Sequence, residues 1–247
     1  MDSYRYLAAG YDALTQDVGY ERRADFIEKL MHRADIPVRT VLDLACGTGT
    51  LTEIFARRGY EMIGVDGSEE MLMQAREKFF GFEGVQPLLL HQSMPQLDLY
   101  GTVDAAVCSL DSINYLTSPR EVQRTFERLR LFIAPGGSFT FDVHGIAKME
   151  ALDGEVFLDE DEDVYCVWRT EYRKRAKMLD YYVDIFRREG ETWERGFEEH
   201  HQRAYSVEEL TAWLEAAGFG KIRTYGDCAM RRPGENEGRI YFSCIRK

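Results

Sequence analysis

The stretch that decides the fold is DLACGTGT, residues 43–50. It overlaps the end of an apolar run over residues 40–46 that is typical of a buried strand. Leu51, Ile54 and Phe55 then follow at the spacing of one helix face. The two glycines let the backbone turn sharply and let a ligand approach the main chain closely. We therefore predict a strand, a tight turn and a helix, with room for a ligand at the turn.

Strands and helices alternate from this stretch to residue 145. Ser68, followed by two glutamates, marks one helix start, and SPRE at residues 118–121 marks another with a capping box and a proline in the first turn. A further helix, with regularly spaced apolar residues over 24–34, precedes the first strand. Near-continuous apolar strands in this rhythm predict a parallel sheet covered on both faces. The other strands expected here are 60–65, 85–90, 103–108 and 138–143.

The pattern changes between residues 146 and 205. Apolar and polar residues alternate over 181–186 and again over 193–201, and Glu189-Gly190 supplies a turn between the two runs. We interpret this segment as an antiparallel β meander of about three strands inserted into the α/β unit. The acidic run 159–163 is expected to be a solvated loop.

A second capping box, SVEE at residues 206–209, restarts the helical spacing, and Gly218 ends that helix. Two strands over 221–225 and 239–245 complete the α/β unit. The expected domains are residues 1–145 plus 206–247 for the α/β domain and 146–205 for an inserted β cap region.

Composition argues against several classes of protein. The 247 residues include 43 acidic and 31 basic side chains, so the net charge of −12 opposes binding to a phosphate backbone. No apolar run approaches the roughly 20 residues of a membrane-spanning helix. The N-terminus lacks the pattern of a signal peptide, which predicts a cytoplasmic protein. The five cysteines form no C-x-x-C pair, so neither a disulfide framework nor a zinc knuckle is expected.

One carboxylate, Asp66, ends the predicted second strand 19 residues beyond Gly47. An acidic side chain at this point can accept hydrogen bonds from both hydroxyls of a ribose, although acidic residues also start many ordinary helices. Thr52 stands where a dinucleotide-binding turn carries its third glycine, and no lysine follows the glycines as in a P-loop. The turn and Asp66 together therefore favour a ribose-binding site.

Residues 41–145 closely resemble class I S-adenosylmethionine-dependent methyltransferases. The matching motifs are residues 43–49, Asp66, the segment 91–94 and the fourth-strand segment 103–110. The resemblance implies an α/β fold with a doubly wound, mostly parallel, Rossmann-like sheet of seven strands. The implied order is 3-2-1-4-5-7-6, with strand 7 antiparallel. S-adenosyl-L-methionine is the implied cofactor and S-adenosyl-L-homocysteine its product.

The resemblance also implies cofactor contacts for individual residues. The glycine turn packs against the methionine part, Asp66 binds the ribose and Met71 stacks on the adenine. Ser93 belongs to the segment that reads the adenine edge, where many members carry an aspartate. Tyr11 corresponds to a tyrosine that closes over the cofactor, with a staple residue before the first helix as the alternative. The expected cofactor-binding residues are Tyr11, Asp43, Ala45, Cys46, Gly47, Thr48, Gly49, Asp66, Gly67, Met71, Ser93, Met94, Ser109 and Leu110.

Candidate catalytic residues follow the strands of the parallel sheet, because ligands of such sheets bind beyond the carboxyl ends of the strands. Asp111 and Tyr115 follow the fourth strand, and His144 follows the fifth. His144 is the preferred proton acceptor, since imidazole titrates near neutral pH. A loop histidine bonded to the backbone is an equally weighted alternative for His144.

The insertion supplies a fourth catalytic candidate. His200 and His201 are adjacent on one predicted strand, so their rings point to opposite faces, and the resemblance favours His200 for the pocket. The Glu and His spacing around them matches no standard zinc motif, so no metal site is expected. Aromatic residues of the insertion either line a substrate chamber or pack the insertion onto the core. These residues are Trp168, Tyr172, Tyr181, Tyr182 and Trp193.

Three further stretches, Tyr11-Asp12, residues 111–116 and residues 198–210, resemble bacterial small-molecule methyltransferases, including N-methyltransferases of amino sugars and glycine-type substrates. We therefore expect in-line transfer of a methyl group to a small-molecule acceptor, in particular an amine, with the β insertion walling the substrate pocket. The alternatives are an RNA methyltransferase, a nicotinamide-dependent oxidoreductase and a non-catalytic protein that retains the cofactor fold. No membrane or nucleic-acid partner is expected, and the β insertion is the candidate surface for a homodimer.

The negative charge is concentrated in one place. Residues 150–163 hold eight acidic side chains and no basic one, immediately before the main alternating runs of the insertion. If the insertion borders the active site, this stretch places a negative field at the rim of the substrate pocket. The expected acceptor is accordingly cationic or neutral.

Overall fold

The computed structural model describes residues 4–247, whose strands form two separate β-sheets. The first sheet has seven strands and the second has four. The strands are β1 (Thr40–Leu44), β2 (Glu61–Asp66), β3 (Leu88–His91), β4 (Val103–Cys108), β5 (Ile133–His144), β6 (Val156–Asp161), β7 (Val164–Arg173), β8 (Met178–Glu189), β9 (Thr192–Arg203), β10 (Phe219–Tyr225) and β11 (Arg239–Arg246).

Helices connect most of the strands of the first sheet. Within the described part of the chain, no helix is long and apolar enough to cross a membrane. The α-helices are α1 (Tyr11–Leu14), α2 (Tyr20–Met31), α3 (Thr50–Arg57), α4 (Glu69–Lys78), α5 (Pro119–Phe132), α6 (Ile146–Ala151) and α7 (Val207–Ala217).

The seven-stranded sheet has the order β3-β2-β1-β4-β5-β11-β10. Neighbouring strands from β3 to β5 run parallel, whereas β11 runs antiparallel to both β5 and β10. Counted within this sheet alone, β10 and β11 are its sixth and seventh strands. The predicted order 3-2-1-4-5-7-6, with an antiparallel seventh strand in a Rossmann-like α/β fold, is confirmed.

Apolar layers cover both faces of this sheet, as its near-continuous apolar strands require. On one face Phe126 of α5 packs against Phe141, whose ring stacks on Phe242 with centroids 4.8 Å apart. On the other face α2 buries Ile27 and Leu30 completely. Because both faces are covered, polar groups of the strands reach a ligand mainly at the strand ends.

Local signals in the sequence predict the helix ends well. Ser118 and Glu121 form a capping box at the start of α5, and Ser206 and Glu209 form another at the start of α7. Gly218 ends α7 with a left-handed φ of +97°. Each of these signals depends on residues within a few positions of one another, so the local sequence determines them.

Two of the parallel strands begin three or more residues away from their predicted starts. β3 begins at Leu88 instead of Val85, because Pro87 has no N–H to donate to the ladder and Val85 is exposed. β5 begins at Ile133, which pairs with Val103 of β4. The Pro-Gly-Gly residues 135–137 are therefore an irregular part of β5, where the pairing register shifts.

The second sheet lies in the chain between α6 and α7 and has the order β6-β7-β8-β9, with antiparallel pairing throughout. The expected meander is present, but with four strands instead of about three. The missed strand is β6, which includes most of the acidic run 159–163 that was predicted as a loop. Asp159 pairs with Cys166 of β7 in this strand. Charged side chains suit an edge strand because they discourage pairing with other chains, and their acidity conceals the strand in the sequence.

Residues 4–19 form an N-terminal segment that packs against the second sheet. The Glu198 carboxylate of β9 accepts hydrogen bonds from the backbone N–H groups of Tyr4, Tyr6 and Leu7. A Cβ on Gly196 would lie 2.5 Å from the Tyr6 ring, so a glycine is needed for this close approach. These contacts hold the segment beside the carboxyl ends of the parallel strands.

Candidate active site

A cavity of about 550 Å³, which we name the main cavity, lies at the carboxyl ends of β1, β2 and β4. The glycine turn after β1 and the N-terminal segment both contribute to its walls. Among the residues expected to contact the cofactor, only Gly49 is absent from its lining. The expected residues that do line it are Tyr11, Asp43, Ala45, Cys46, Gly47, Thr48, Asp66, Gly67, Met71, Ser93, Met94, Ser109 and Leu110.

Gly47 and Gly49 have different structural roles, although their φ angles of +55° and +78° both lie in the left-handed region. A Cβ on Gly47 would meet no atom within 4 Å, so this residue leaves open space for a ligand beside the main chain. A Cβ on Gly49 would lie 2.9 Å from the Phe79 ring and 3.2 Å from the Ala75 Cβ. Gly49 is therefore needed for the packing of α4 against the turn, which explains its absence from the cavity wall.

Asp66 is held in place by the turn. Its Oδ2 accepts a hydrogen bond from the Gly47 backbone N–H and its Oδ1 accepts one from the Ser68 N–H, each over 2.8 Å. Burial raises the pKa of Asp66, and these N–H donors oppose the rise. A carboxylate has about four lone pairs, so each oxygen can accept a further bond. The group is therefore oriented and still able to bind the two hydroxyls of a ribose.

Asp43 places a second carboxylate on the wall of the main cavity. Its Oδ2 accepts a hydrogen bond of 2.6 Å from the Thr52 hydroxyl, and burial raises its pKa to about 6. Thr52 stands where a dinucleotide-binding turn would have its third glycine, so the chain uses this position to hold Asp43. Together with Asp66, Asp43 fits a ligand that combines an amino group with a ribose, and S-adenosylmethionine is such a ligand.

The N-terminal segment is joined to the glycine turn through Asp12. The Thr48 hydroxyl donates to Asp12 Oδ1 over 2.5 Å, and Lys78 Nζ lies 2.7 Å from Asp12 Oδ2. Asp12 is the neighbour of Tyr11, whose ring lines the main cavity. Tyr11 therefore lies where a residue that covers a cofactor would lie, and its contact with the cofactor stays a prediction.

A second cavity, of about 230 Å³ and named the side chamber here, adjoins the main cavity. Tyr4, Tyr11, Leu110 and Tyr115 line both cavities and so mark the junction between them. Of the aromatic residues of the insertion, Trp168 and Tyr181 line the chamber, whereas Tyr172, Tyr182 and Trp193 do not. The polar or aromatic residues that complete its lining include Asp111, Phe157, Asp159, Gln202 and Arg239.

The junction contains a strained turn at the end of β4. Leu110 and Asp111 both have left-handed φ angles, of +57° and +53°, which cost of order 1–3 kcal/mol each in residues with a Cβ. The buried Asp142 carboxylate accepts hydrogen bonds from their two backbone N–H groups, over 2.9 and 3.0 Å. Asp142 thereby holds Leu110 against both cavities and Asp111 against the side chamber.

Asp111 belongs to a buried ionic cluster. Arg239 Nη2 lies 2.7 Å from Asp111 Oδ1, and Arg239 Nη1 donates to Asp142. The Gln202 amide donates to Asp111 Oδ2 over 2.7 Å. Burial alone would raise the pKa of Asp111, but its contacts with His144 and Arg239 lower it below its ordinary value. Asp111 therefore stays ionised, and both of its oxygens are engaged by neighbouring side chains.

His144 also belongs to this cluster and lines neither cavity. Its Nε2 lies 3.0 Å from Arg239 Nη2 and 3.0 Å from Lys148 Nζ. The Asp111 carboxylate lies 3.3 Å from the same nitrogen, so Nε2 is fully engaged within the cluster. Burial lowers the pKa of His144 to about 4. The lone pair needed to take a proton from a substrate is thus engaged, and the geometry gives no support to the predicted role of His144 as proton acceptor.

Tyr115 is the catalytic candidate that lines both cavities, and His200 lies behind it. Tyr4 donates to the Tyr115 hydroxyl over 2.6 Å, and that hydroxyl lies 3.5 Å from His200 Nδ1. His200 Nε2 in turn lies 3.0 Å from Glu198 Oε2. His201 faces the other way and pairs with Asp180 over 2.6 Å, as strand alternation predicts. The structure therefore brings Tyr115, His200 and Glu198 into one connected chain.

Several residues of the site are absent from the sequence prediction. Tyr4, Glu198, Gln202 and Arg239 come from distant parts of the chain and meet only in the fold. Glu198 shares a strand face with His200, so the alternation could have indicated this pair. In residues 4–247, no group of three or more His, Cys, Asp or Glu side chains could hold a metal ion.

Comparison with known proteins gives consistent results. The family model for a methyltransferase domain matches residues 41–137. A putative methyltransferase of Bacillus subtilis, YqeM, is 33% identical over 97% of this chain and 95% of its own length. A dTDP-3-amino-3,6-dideoxy-alpha-D-glucopyranose N,N-dimethyltransferase of Streptomyces fradiae is 29% identical over 53% of this chain and 50% of its own length. A crystal structure of an S-adenosylmethionine-dependent methyltransferase from Clostridium acetobutylicum superposes with a TM-score of 0.87, at 29% identity and 98% coverage of both chains.

Proposed function

This chain belongs to the S-adenosylmethionine-dependent methyltransferases, and we propose that it methylates the amino group of a small molecule. The observation that carries the proposal is the side chamber, which meets the main cavity at Tyr4, Tyr11, Leu110 and Tyr115. A chamber of about 230 Å³ suits a small acceptor. We assign its outer wall to a substrate-cap region of residues 146–205.

The main cavity is the site that we assign to the cofactor. Asp66 would hold the ribose, Asp43 would face the amino group and Gly47 would let the main chain approach. When bound, S-adenosylmethionine supplies a methyl group on a sulfonium, which is already a good leaving group. The task left to the protein is to align the acceptor nitrogen and to exclude water.

Tyr115 is the residue that we assign to the acceptor nitrogen, because it lies at the junction of the cavities. Burial, followed by the charge of Asp111, raises the pKa of Tyr115 above its ordinary value, so the phenol stays protonated at neutral pH. Its hydroxyl can accept a hydrogen bond from the acceptor nitrogen while donating its own proton towards His200 Nδ1. Tyr115 would therefore position the nitrogen lone pair and connect it to a proton acceptor.

His200 is the proton acceptor that we assign behind Tyr115. Burial alone would raise the pKa of Glu198, but hydrogen bonds from His200 and from the backbone of Tyr6 and Leu7 lower it. An ionised Glu198 accepts from His200 Nε2–H and leaves Nδ1 free to receive a proton from the Tyr115 hydroxyl. The imidazolium that forms would be stabilised by the Glu198 carboxylate.

Support for an amine comes from two sources. The relative from Streptomyces fradiae is named for dimethylation of an amino sugar, although it matches only about half of this chain. In addition, an amine must shed a proton during or before transfer, and the Tyr115–His200 pair provides an acceptor for it. RNA is the alternative acceptor, whereas membership of the methyltransferase family excludes the nicotinamide-dependent oxidoreductase.

A methyl-transfer assay tests the proposal. We would incubate the protein with S-adenosylmethionine carrying a tritiated methyl group and with panels of small amines, alcohols, carboxylates and bulk tRNA. We expect label in amines, identified by mass spectrometry as N-methyl products. Label confined to alcohols or carboxylates would remove the amine assignment, and label in tRNA would favour the RNA alternative.

Substitution of Tyr115 by Phe tests the assigned mechanism in the same assay. Tyr115→Phe removes the hydroxyl and should lower kcat about a hundredfold, within the usual range for acid–base groups. Binding of S-adenosylmethionine, measured by calorimetry, should change by less than about twofold, a free-energy difference under half a kcal/mol. Tyr100→Phe is the matched control, because Tyr100 is fully exposed. An unchanged kcat in Tyr115→Phe would remove Tyr115 from the mechanism.

We propose that the second sheet also provides a homodimer interface. Its edge strand β9 exposes the apolar side chains of Trp193 and Phe197, which are 45% and 43% accessible. Exposed apolar groups along a strand edge are common at protein interfaces. Light scattering should give the mass of two chains, and Phe197→Ser should shift it towards one. A monomer at all concentrations would exclude this interface.

A further inference from the structure

The side chamber has a charge pattern that bears on the kind of acceptor it takes. Among the described residues its lining holds one cation, Arg239, which is paired with the carboxylates of Asp111 and Asp142. The two carboxylates engage both terminal nitrogens of the guanidinium. Arg239 is therefore neutralised and cannot serve as a binding site for an anionic acceptor.

Asp159 is a further carboxylate on the chamber wall, and it comes from the strand β6 that sequence patterns did not indicate. In residues 4–247 it forms no ion pair, although it is partly buried. Burial raises the pKa of Asp159, a hydrogen bond from the neighbouring Trp168 indole opposes the rise, and the like charge of Asp17 adds to it. A partly buried carboxylate without a counter-ion favours a cation beside it.

One polar atom of a chamber residue lacks a partner. Gln202 is 2% exposed, and its buried Oε1 has no hydrogen-bond partner in the described chain. Unpartnered buried polar atoms are uncommon in proteins, and each calls for an explanation such as a bound water, ion or ligand. Gln202 Oε1 and the Asp159 carboxylate are both acceptors, so they call for donor groups on that ligand.

Aromatic rings accompany the carboxylate. Phe157 lies two residues before Asp159 on β6, and its ring stacks on Trp168 with centroids 5.8 Å apart and an interplanar angle of 11°. Tyr181 meets the Trp168 ring edge to face at 6.2 Å. Aromatic faces attract ammonium groups, and a neighbouring carboxylate adds to that attraction. This wall is therefore chemically suited to a cationic amino group.

The cationic site and the reacting site lie in different parts of the chamber. Tyr115 belongs to the junction with the main cavity and has Asp111 as its charged neighbour. Asp159 does not line the main cavity and has Asp17 of the N-terminal segment as its charged neighbour. One acceptor can accordingly present a neutral nitrogen to Tyr115 and a separate ammonium to Asp159.

We propose that the side chamber selects acceptors that carry a second, cationic amino group, which pairs with Asp159 against the rings of Phe157 and Trp168. The inference rests on the proposed methylation of a small-molecule amine and specifies its substrate class as diamine-like. Amines of the same length with an uncharged distal group bind more weakly, and amines with a distal carboxylate bind most weakly.

Three probes of equal chain length test this selection: putrescine, aminobutanol and γ-aminobutyrate. They share one primary amine and differ in the charge of the distal group. Calorimetry on the protein loaded with S-adenosylhomocysteine should give a Kd for putrescine about tenfold below that for aminobutanol. The Kd for γ-aminobutyrate should be the highest. Equal values for putrescine and aminobutanol, or no binding of putrescine, would overturn the inference.

Substitutions at Asp159 connect the preference to this residue. Asp159→Asn should weaken the binding of putrescine about tenfold and leave the Kd for aminobutanol unchanged. Asp159→Lys should reverse the order of affinities, so that γ-aminobutyrate binds most tightly. Asp161→Asn is the matched control, because Asp161 lies two residues along the same strand, is exposed and lies outside the chamber. Equal weakening of putrescine and aminobutanol in Asp159→Asn would instead indicate a structural role and overturn the inference.

Failure of this inference can be told apart from failure of the proposed function. If amines are methylated whatever the charge of their distal group, the assignment of an amine acceptor is retained and the proposed role of Asp159 is wrong. If putrescine binds in an Asp159-dependent way but only hydroxyl or RNA acceptors are methylated, the amine assignment fails, and the diamine class fails with it. Thermal melting of each variant, compared with the unsubstituted chain, verifies that the fold is retained.

Discussion

The two cavities of this protein are built in different ways. Polar groups of the main cavity are satisfied by nearby residues, as in the Asp43–Thr52 hydrogen bond and the two N–H bonds to Asp66. The side chamber combines residues from both ends and the middle of the chain, and it retains unpartnered acceptors such as Gln202 Oε1. The first arrangement is oriented before any ligand arrives, whereas the second has polar groups that a ligand would complete.

This difference indicates that the main cavity can be common to proteins of this fold, whereas the side chamber can be particular to one acceptor. A strand, a glycine turn and a carboxylate within about 25 residues can be kept together by local geometry. The side chamber depends on the inserted sheet and on the N-terminal segment, which can change without disturbing the parallel sheet. Substitutions in the two cavities should therefore affect different measurable properties.

The largest effect is expected from Asp66→Ala. The change removes the acceptor for two ribose hydroxyls and the contact that fixes the Gly47 N–H, so the affinity for S-adenosylmethionine should fall about a thousandfold, near 4 kcal/mol. Calorimetric titration measures this loss. Binding of putrescine to the side chamber, measured at saturating S-adenosylhomocysteine, should change much less.

Asp104 offers a matched control for Asp66. Its Oδ2 accepts hydrogen bonds from the backbone N–H groups of Arg39 and Thr40, each over 2.9 Å, at the opposite end of the parallel strands. Asp104→Ala should lower the melting temperature and leave the cofactor affinity unchanged. Equal losses of affinity in the two variants would mean that Asp66 acts through folding and not through the ligand.

Asp43 and His144 should contribute to the pH dependence of stability with opposite signs. Burial raises the pKa of Asp43 from 3.8 to about 6, so the folded state holds this proton more tightly than the unfolded state. Asp43 therefore lowers the free energy of unfolding as pH rises from about 4 to 6, by about 3 kcal/mol at 1.36 kcal/mol for each unit. Asp43→Asn should remove this contribution, so that the opposite contribution of His144 becomes visible in denaturant unfolding at different pH values.

His144 acts in the other direction over nearly the same range. Burial lowers its pKa from 6.5 to about 4, so the unfolded state binds this proton first as the pH falls. The free energy of unfolding should therefore decrease by about 3 kcal/mol as pH falls from about 6.5 to 4. The two contributions nearly offset each other in the unsubstituted chain. His144→Gln should leave only the Asp43 contribution, and identical pH profiles for both variants would contradict the assignment.

The main cavity is easier to predict from the sequence than the side chamber, for physical reasons. Residues 43–50 and Asp66 lie at the ends of adjacent strands, so their spacing and residue types determine their meeting. His144 lies at the carboxyl end of β5, close to its predicted position, but the occupation of its Nε2 by Arg239 depends on a residue 95 positions away. The acidic composition of β6 similarly conceals its pairing with β7, which only the fold makes visible. Long-range pairing therefore limits the prediction more than local propensity does.

A smaller effect is expected at the contact between the N-terminal segment and the second sheet. Glu198→Gln replaces a carboxylate that accepts three backbone N–H groups with an amide that also carries N–H donors. The segment should open more often, with hydrogen exchange in residues 4–14 about tenfold faster, near 1.4 kcal/mol. Glu199→Gln is the control, because Glu199 is the exposed neighbour on the opposite face. Unchanged exchange would mean that contacts other than the Glu198 carboxylate hold the segment.

The smallest expected effect concerns Ala45, which has a left-handed φ of +61° on the wall of the main cavity. Glycine adopts this conformation without strain but loses more entropy on folding, so Ala45→Gly should stabilise the protein by about 0.5–1 kcal/mol. Ala105→Gly, in the buried strand β4, should instead destabilise it by a similar amount. If Ala45→Gly gains stability but loses affinity for S-adenosylmethionine, the strain serves to hold the turn ready for the cofactor. If affinity is retained, the hydrogen bonds to Asp66 suffice to order the turn, and the strained alanine contributes nothing to binding.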